Sequence, residues 1–195
     1  MKRILIIILS GILLSSCFLM KKGYSKTFDG ANSTKLYTSK SGEVNMTGVV
    51  NEQNFSDKPF STWYKKGYNA YKTEAVDQKD LKKLLSGVTI EVYFGTWCED
   101  SRREIPRFMR IVNDLGLDKT KIKLVAVNED KTAFWGEEIG KDIKRVPTFI
   151  FYKKDATFDK YPSEIGRIVE APIESLERDM IKILKKEDYV PNYSK

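Results

Sequence analysis

The sequence predicts an α/β fold, a three-layer sandwich in which helices cover both faces of a sheet, with elements in the order β-α-β-α-β-β-α. An apolar run rich in β-branched residues from Val88 to Gly95 is typical of a central strand buried on both faces. A segment with helical spacing and a second apolar run follow it. Together they predict two parallel strands joined by a right-handed crossover.

The crossover helix is predicted from Ser101 to Gly116, because apolar residues recur there every three or four positions and a glycine can end a helix. The next segment, Lys121–Val127, alternates and then becomes apolar, which predicts the second strand. A weaker apolar pattern predicts a second helix over Ala133–Ile143.

Two further strands are predicted at Thr148–Tyr152 and Ile165–Glu170, and they would complete the sheet as a meander. Pro172 is expected near the first turn of a final helix, since proline is tolerated there. The buried face of that helix is predicted to hold Ile173, Leu176, Met180, Ile183 and Leu184. Residues 88–187 therefore form the predicted α/β domain, followed by a tail at 188–195.

Residues 42–87 are predicted to be an N-terminal extension packed on the sheet. Within it, Glu43–Asn51 has the weak alternation of a strand or hairpin. Tyr64, Tyr68 and Tyr71 recur at helical spacing, which favours an aromatic face used for core packing rather than for ligand binding. A second short helix is predicted to begin after an N-cap at position 77 and to end at position 87.

The N-terminus predicts export from the cytoplasm. A basic head precedes eleven mostly apolar residues, Ile4–Leu14, which are too few for a permanent span of about 20 residues. Leu-Ser-Ser-Cys then resembles the bacterial lipobox, so residues 1–16 are predicted to be a lipoprotein signal peptide and Cys17 the lipidated residue. A plain signal peptide or an uncleaved anchor are the alternatives. Residues 17–41, rich in Ser, Thr, Lys and Gly, are predicted to be a flexible tether.

Composition excludes several classes of function. The net charge of +7 falls to +5 when Lys2 and Arg3 leave with the signal peptide, and the basic residues are dispersed rather than clustered. Nucleic-acid binding is therefore not expected. The chain has no histidine, and one thiol cannot build a cysteine-rich metal site, so no metal and no cofactor are expected. A chain of this length is compatible with one domain, expected to be a monomer.

Cys98 is the candidate catalytic residue, because it follows the central strand where a helix begins. Free backbone N–H groups and the helix dipole favour a thiolate there. Ser101, one turn further on, is expected to donate a hydrogen bond to that thiolate, and Arg102–Arg103 add positive charge. The carboxylates of Glu99–Asp100 oppose this effect. The alternative is a structural cysteine at the start of a helix.

Several motifs resemble the thioredoxin superfamily. They are Phe-Gly-Thr-Trp-Cys-x-x-Ser, ending at Ser101, then Pro106, and then Arg-Val-Pro-Thr-Phe, which contains Pro147. The resemblance covers roughly residues 84–186 and implies a thioredoxin-like sandwich. Trp-Cys-x-Asp-Ser, with Arg-Ile-Val-Glu ending at position 170, is similar to single-thiol, lipid-anchored bacterial members of the superfamily. By this resemblance, Pro147 is a cis-proline facing the cysteine, and Trp97 and the backbone of Val146 bind an extended substrate.

Two departures from dithiol thioredoxins limit what the resemblance implies. Ser101 replaces the second cysteine, so it cannot release a mixed disulfide from Cys98. Val92 occupies the position of the buried carboxylate that manages the proton of the second thiol. Glu91 is its neighbour, but on a strand it points to the opposite face. Autonomous disulfide reductase activity is therefore not expected.

Two functions remain open from the sequence. The first is a monothiol redox protein of the bacterial cell envelope, in which Cys98 forms transient mixed disulfides with exported proteins or low-molecular-weight thiols. Such a protein would act in isomerase-like exchange or in deglutathionylation, and it would contact the membrane through lipidated Cys17. The second is a non-catalytic module that binds an extended polypeptide on the face of Cys98 and Pro147. The tryptophan before the cysteine favours the first.

Overall fold

The computed structural model describes residues 33–74, 78–154 and 162–193 of the 195-residue chain. Within these ranges it has a mixed α/β fold, with one six-stranded sheet and four α-helices. The strands are β1 (Lys35–Thr38), β2 (Val44–Val50), β3 (Val88–Phe94), β4 (Ile122–Ala126), β5 (Thr148–Lys153) and β6 (Ser163–Val169). The α-helices are α1 (Phe60–Ala70), α2 (Gln78–Leu84), α3 (Glu99–Asp114) and α4 (Leu176–Lys185), and 3-10 helices cover Glu52–Phe55 and Lys119–Lys121.

The sheet has the strand order β1-β2-β4-β3-β5-β6. Strands β3 and β4 are parallel, and α3 connects them, because parallel neighbours need a crossover. The other neighbouring pairs are antiparallel. The predicted central strand, its parallel partner and the antiparallel pair at the end of the chain are therefore confirmed.

One face of the sheet carries the main core, to which all four α-helices contribute buried side chains. Strand β3 directs Ile90, Val92 and Phe94 to this face, where each is at most 2% exposed. Side chains alternate along a strand, so Glu91 and Tyr93 lie on the other face. The structure thus confirms that Val92 is an apolar core residue and that Glu91 points away from it.

Among the described residues, no helix covers the other face of the sheet, and the predicted helix over Ala133–Ile143 is wrong. The segment forms a series of turns, in which Gly136 and Gly140 have φ of +75° and +79°. These values lie in the left-handed region, which interrupts a right-handed helix. The side chain of Glu137 accepts a hydrogen bond from the N–H of Trp135, two residues back, which stabilises a turn instead.

This irregular segment is held to the sheet by polar contacts. The Nζ of Lys141 lies 2.6 Å from a carboxylate oxygen of Glu91 and donates to the hydroxyl of Tyr152 at 3.0 Å. Burial alone would lower the pKa of Lys141. Hydrogen bonds to Glu91 and Tyr152, together with the charge of Glu91, instead raise this pKa above its ordinary value. Tyr93 donates to the main-chain oxygen of Glu137 at 2.9 Å. Polar side-chain contacts with the sheet, rather than the apolar face of a helix, thus hold this segment in place.

Two other predicted boundaries are corrected. Residues 17–41 were expected to be a flexible tether, but strand β1 lies inside this range. The strand forms because its backbone pairs with β2. The last helix begins at Leu176 with Ser175 as its N-cap, whose side chain accepts from the N–H of Arg178. Ile173, expected on the buried face, therefore precedes the helix and is 50% exposed. Asp77, the predicted N-cap of α2, lies outside the described residues.

The predicted N-terminal extension belongs to the same core. Strand β2 pairs with β4, and α1 packs against α3 through Gly67, where an added Cβ would lie 2.6 Å from the ring of Pro106. Tyr64 is buried and Tyr68 and Tyr71 are partly buried against the core, so the aromatic face is confirmed as packing. None of the helices in the described ranges is long and apolar enough to cross a bilayer.

Candidate functional site

Cys98 lies between the end of β3 and the start of α3. It is the N-cap of α3, with the extended backbone φ −89° and ψ 127°, and its carbonyl oxygen accepts the N–H of Arg102 at 2.9 Å. Its own N–H donates to Gly95 at 3.0 Å, which closes the turn that follows β3. The free thiol is half-buried. The cysteine therefore occupies the helix N-terminus that the sequence predicted, where unpaired N–H groups favour negative charge.

The thiol faces the loop before β5. The Sγ of Cys98 donates a hydrogen bond to the main-chain oxygen of Val146 at 3.3 Å. The peptide bond between Val146 and Pro147 is cis, as the sequence predicted. The oxygen of Pro147 accepts from the N–H of Glu170 at 2.7 Å, which fixes the loop to the end of β6. The sheet thus brings Cys98, Val146 and Pro147 together.

Trp97 is held beside the cysteine by a hydrogen bond and by the absence of a side chain at Gly95. The indole Nε1 donates to the main-chain oxygen of Val127 at 2.9 Å. A Cβ on Gly95 would lie 2.5 to 2.9 Å from three indole atoms, closer than real Cβ contacts. The Nζ of Lys131 lies over the ring, 5.8 Å from a ring centroid. Trp97 therefore forms a fixed wall next to the thiol.

The side chain of Ser101 is hydrogen-bonded to the backbone of the turn after β3. Its side chain is fully buried, and its Oγ accepts a hydrogen bond from the N–H of Gly95 at 3.1 Å. No side-chain hydrogen bond joins Ser101 to Cys98 in the described part of the chain, so the expected donation to the thiolate is not formed. The turn after β3 instead brings the N–H of Gly95 within hydrogen-bond distance of the Ser101 Oγ in the first turn of α3.

The arginines after Ser101 are paired away from the thiol. Arg102 bonds the main-chain oxygen of Thr96 and lies 3.2 Å from Glu43. Arg103 forms ion pairs of 2.6 Å with both Asp100 and Glu104. The positive charges of Arg102 and Arg103 are therefore paired with carboxylates rather than with the thiol.

Cys98 opens into a cleft of about 850 Å³. Its walls come from the turn after β3, the loop before β5, the end of β6 and the C-terminal tail. The lining residues are Trp97, Cys98, Lys131, Asp142, Lys144, Arg145, Val146, Thr148, Arg167, Val169, Glu170, Pro191, Asn192 and Tyr193. A cleft of this size accommodates a small molecule or a short stretch of polypeptide.

The tail and several basic residues were missed from the sequence. The guanidinium of Arg145 lies 4.1 Å from the ring centroid of Tyr193, and Asn192 donates to the oxygen of Ala171 at 2.8 Å, so the tail forms one wall of the cleft. Hydrogen bonds with Glu164 raise the pKa of Arg167 above its ordinary value. Arg145 could have been found, since it directly precedes Val-Pro; nothing local in the sequence indicated the tail.

Cys17, the predicted lipidation site, lies outside the described residues. Within those residues, no group of three or more His, Cys, Asp or Glu side chains is placed to hold a metal ion. Comparison with protein-family models, with curated proteins and with solved structures finds no match to this chain.

Proposed function

We propose that this protein is a thioredoxin-like, single-thiol protein of the bacterial cell envelope, anchored through a lipid on Cys17, in which Cys98 forms transient mixed disulfides. The observation that carries the proposal is the geometry of the thiol. The Sγ of Cys98 lies at the N-terminus of α3, 3.3 Å from the carbonyl oxygen that precedes cis-Pro147, and it opens into a cleft. A half-buried thiol that opens into a cleft is accessible to a substrate disulfide.

The order of elements supports a thioredoxin-like fold. From β3 onward the chain forms two parallel strands joined by α3, then the antiparallel pair β5 and β6, and finally α4. The thioredoxin resemblance of the sequence implies this order with one further helix between β4 and β5. The departure is the second face of the sheet, where turns take the place of a helix.

The proposed chemistry is thiol–disulfide exchange. The thiolate of Cys98 attacks one sulfur of a substrate disulfide; a new S–S bond forms while the substrate S–S bond breaks, and the leaving sulfur departs as a thiolate with the bonding electron pair. A second thiolate, from the substrate or from a low-molecular-weight thiol, then attacks the mixed disulfide and regenerates Cys98. The hydroxyl of Ser101 is buried and cannot take this second step.

The contact with Val146 supports binding of an extended substrate. A neutral thiol donates its hydrogen to the Val146 oxygen, whereas a thiolate or a disulfide sulfur has no hydrogen to donate. Ionisation or adduct formation therefore releases this carbonyl oxygen. It is then free to accept an N–H from a polypeptide lying along the loop before β5.

The proposal is tested by the rate at which the full chain reacts with a small disulfide at neutral pH. The Cys98→Ser variant, which keeps Cys17, provides the blank, so that the difference in rate reports Cys98 alone. We expect the wild type to form a mixed disulfide and to release one equivalent of the leaving thiol more than the blank. A wild type that reacts no further than Cys98→Ser contradicts the redox function.

A non-catalytic binding module is the second candidate. It is favoured because the hydrogen bond of the Ser101 side chain is made with the N–H of Gly95 rather than with the thiol. The two functions differ in whether covalent adducts form. A protein lacking a resolving thiol should accumulate mixed disulfides in cell envelopes, recoverable on non-reducing gels and absent from Cys98→Ser. Adducts would support exchange, whereas polypeptides retained equally by wild type and Cys98→Ser would support the binding module.

The anchor has its own test. We expect the wild-type protein to fractionate with membranes and to incorporate a labelled fatty acid, and we expect Cys17→Ser to lose the label. Labelling that persists in Cys17→Ser would contradict lipidation at this residue, and it would leave the proposal for Cys98 unaffected.

A further inference from the structure

The cleft beside Cys98 has more cationic than anionic side chains. Four basic residues line it, against two acidic ones: Lys131, Lys144, Arg145 and Arg167, with Asp142 and Glu170. Three of the four cations have carboxylate partners. Arg145 lies 3.1 Å from Glu170, Lys144 lies 3.3 Å from Asp142, and Arg167 lies 2.6 Å from Glu164. The remaining cation is Lys131.

Lys131 lines the same cleft as the thiol. In the part of the chain that the structure describes, no acidic group lies within ion-pair distance of its ammonium. The Nζ lies 5.8 Å from the ring centroid of Trp97, the residue that precedes Cys98, within the range of a cation–π contact. The indole is itself fixed by Val127. A positive charge is therefore placed on the wall of the cleft that adjoins the reactive sulfur.

The turn that presents Lys131 is well defined. The Oδ1 of Asn128 accepts hydrogen bonds from the N–H groups of Asp130 and Thr132, and the N–H of Lys131 donates to the oxygen of Asn128. Lys131 has φ of +62°, a left-handed conformation that glycine adopts with less strain than lysine. The hydrogen bonds of the turn therefore fix the backbone position of Lys131, in a conformation that glycine would adopt with less strain.

We propose that the cleft accepts disulfides that carry a carboxylate close to the reacting sulfur, and that Lys131 binds this carboxylate. This inference rests on the proposed exchange at Cys98, and it adds the chemical class of the substrate. The carboxylate belongs either to a low-molecular-weight disulfide or to an acidic residue beside a cysteine in a polypeptide. The exchange step is unchanged, because Lys131 contributes charge and no covalent bond.

The test compares two small disulfides that release coloured thiols. One is 5,5′-dithiobis(2-nitrobenzoate), which carries two carboxylates, and the other is 4,4′-dithiodipyridine, which carries none. The full chain with Cys17→Ser is used, so that Cys98 is the only thiol. We expect Lys131→Glu to slow the reaction with the carboxylate reagent about ten-fold, and the reaction with the neutral reagent less than about two-fold. Lys131→Arg should keep the wild-type ratio of the two rates.

Lys153→Glu is the matched control. It makes the same change in net charge, but Lys153 is exposed and pairs with Val88, at the end of β3 remote from Cys98. This variant should leave the ratio of the two rates unchanged. An equal change in the ratio for Lys131→Glu and Lys153→Glu would overturn the inference, as would no change for either. Failure of Cys98 to react with both reagents would instead contradict the proposed exchange itself.

A second arm identifies the source of the carboxylate. Two short peptides, identical except for Asp or Asn beside a cysteine, are offered as disulfides with the same uncharged leaving thiol. If the Asp peptide reacts faster, and Lys131→Glu removes the difference, an acidic polypeptide is the source. If only the small carboxylate reagent shows a dependence on Lys131, a low-molecular-weight disulfide is the source. No dependence in either arm overturns the inference.

Discussion

The thiol of Cys98 and the main-chain oxygen of Val146 are joined by a hydrogen bond of 3.3 Å, although 48 positions separate them in the sequence. Strands β3 and β5 are antiparallel neighbours, with Tyr93 paired to Thr148. The end of one strand therefore meets the start of the other. The central part of the sheet thus builds the candidate site, and changes that disturb this edge should alter the reactivity of the thiol.

Replacement of Gly95 by alanine should destabilise the site. The new Cβ would lie 2.5 Å from the indole of Trp97, which is held in place by Val127. Overpacking of this kind costs about 1–3 kcal/mol of the free energy of unfolding. We expect urea unfolding to show this loss and the near-UV circular dichroism of tryptophan to change. In a Trp97→Ala background the same substitution should cost much less; an equal cost in both backgrounds would contradict this account.

Gly67→Ala should also destabilise the protein, although alanine favours helices. The substitution gains roughly 0.5–1 kcal/mol in helix propensity. The added Cβ would lie 2.6 Å from the ring of Pro106 on α3, and overpacking costs about 1–3 kcal/mol, so the net effect is unfavourable. Asn69→Ala, at an exposed position of the same helix, is the control and should be neutral or slightly stabilising. Thermal unfolding of both variants measures the difference, and a stabilised Gly67→Ala would refute the close packing.

Loss of the Glu91 carboxylate should loosen the segment that replaces the predicted helix. Glu91→Gln leaves the ammonium of Lys141, whose side chain is only 26% exposed, without its carboxylate partner. We expect a cost of about 1–3 kcal/mol in the free energy of unfolding. Amide hydrogen exchange should become faster in residues 133–143. Lys144→Gln removes an ion pair with Asp142 that is mostly exposed, and it should cost less than about 0.5 kcal/mol. Equal effects of the two variants would argue against this anchor.

Stability should fall as the pH drops below the ordinary range of the carboxylates. Burial alone would raise the pKa of Glu52, but hydrogen bonds and charge from Lys119, with further bonds from Tyr64 and Asn113, hold it below 4.5. A hydrogen bond from Thr73 is the main cause of the lowered pKa of Asp114.

A lowered pKa in the folded state means that the unfolded state takes up protons first as the pH falls. The contribution of these groups is therefore complete above about pH 4.5 and is lost as the pH falls further. Urea unfolding from neutral pH to about pH 3 should show this decline, and Glu52→Gln should reduce its slope. An unchanged slope in Glu52→Gln would show that this carboxylate does not contribute to the acid sensitivity.

Much of the candidate site could be predicted because its signals are local. Cys98 follows an apolar strand and precedes a helix with clear periodicity, and both elements are observed. The cis bond before Pro147 was implied by the family resemblance of the Arg-Val-Pro-Thr-Phe motif. By contrast, the hydrogen bond between the Ser101 Oγ and the N–H of Gly95 was not predicted, because it depends on how the turn after β3 packs on the helix.

The turns on the second face of the sheet could not be predicted either, because they also depend on tertiary contacts. The pattern over Ala133–Ile143 resembles a weak helix, yet contacts with Glu91 and Tyr93 on the sheet stabilise turns instead. Local helix propensity is small compared with such tertiary contacts. The early strand β1 was missed likewise, since its stability comes from pairing with β2 rather than from its own composition.

The sequence by itself determined the order of the main strands and helices and the place of the thiol at the start of α3. Hydrophobic periodicity and turn residues act over a few positions, and that is enough for these features. Only the tertiary structure decided what surrounds the thiol. It brought Lys131, Val146 and the tail at Tyr193 to one cleft, because strand pairing and packing join segments that are distant in the chain.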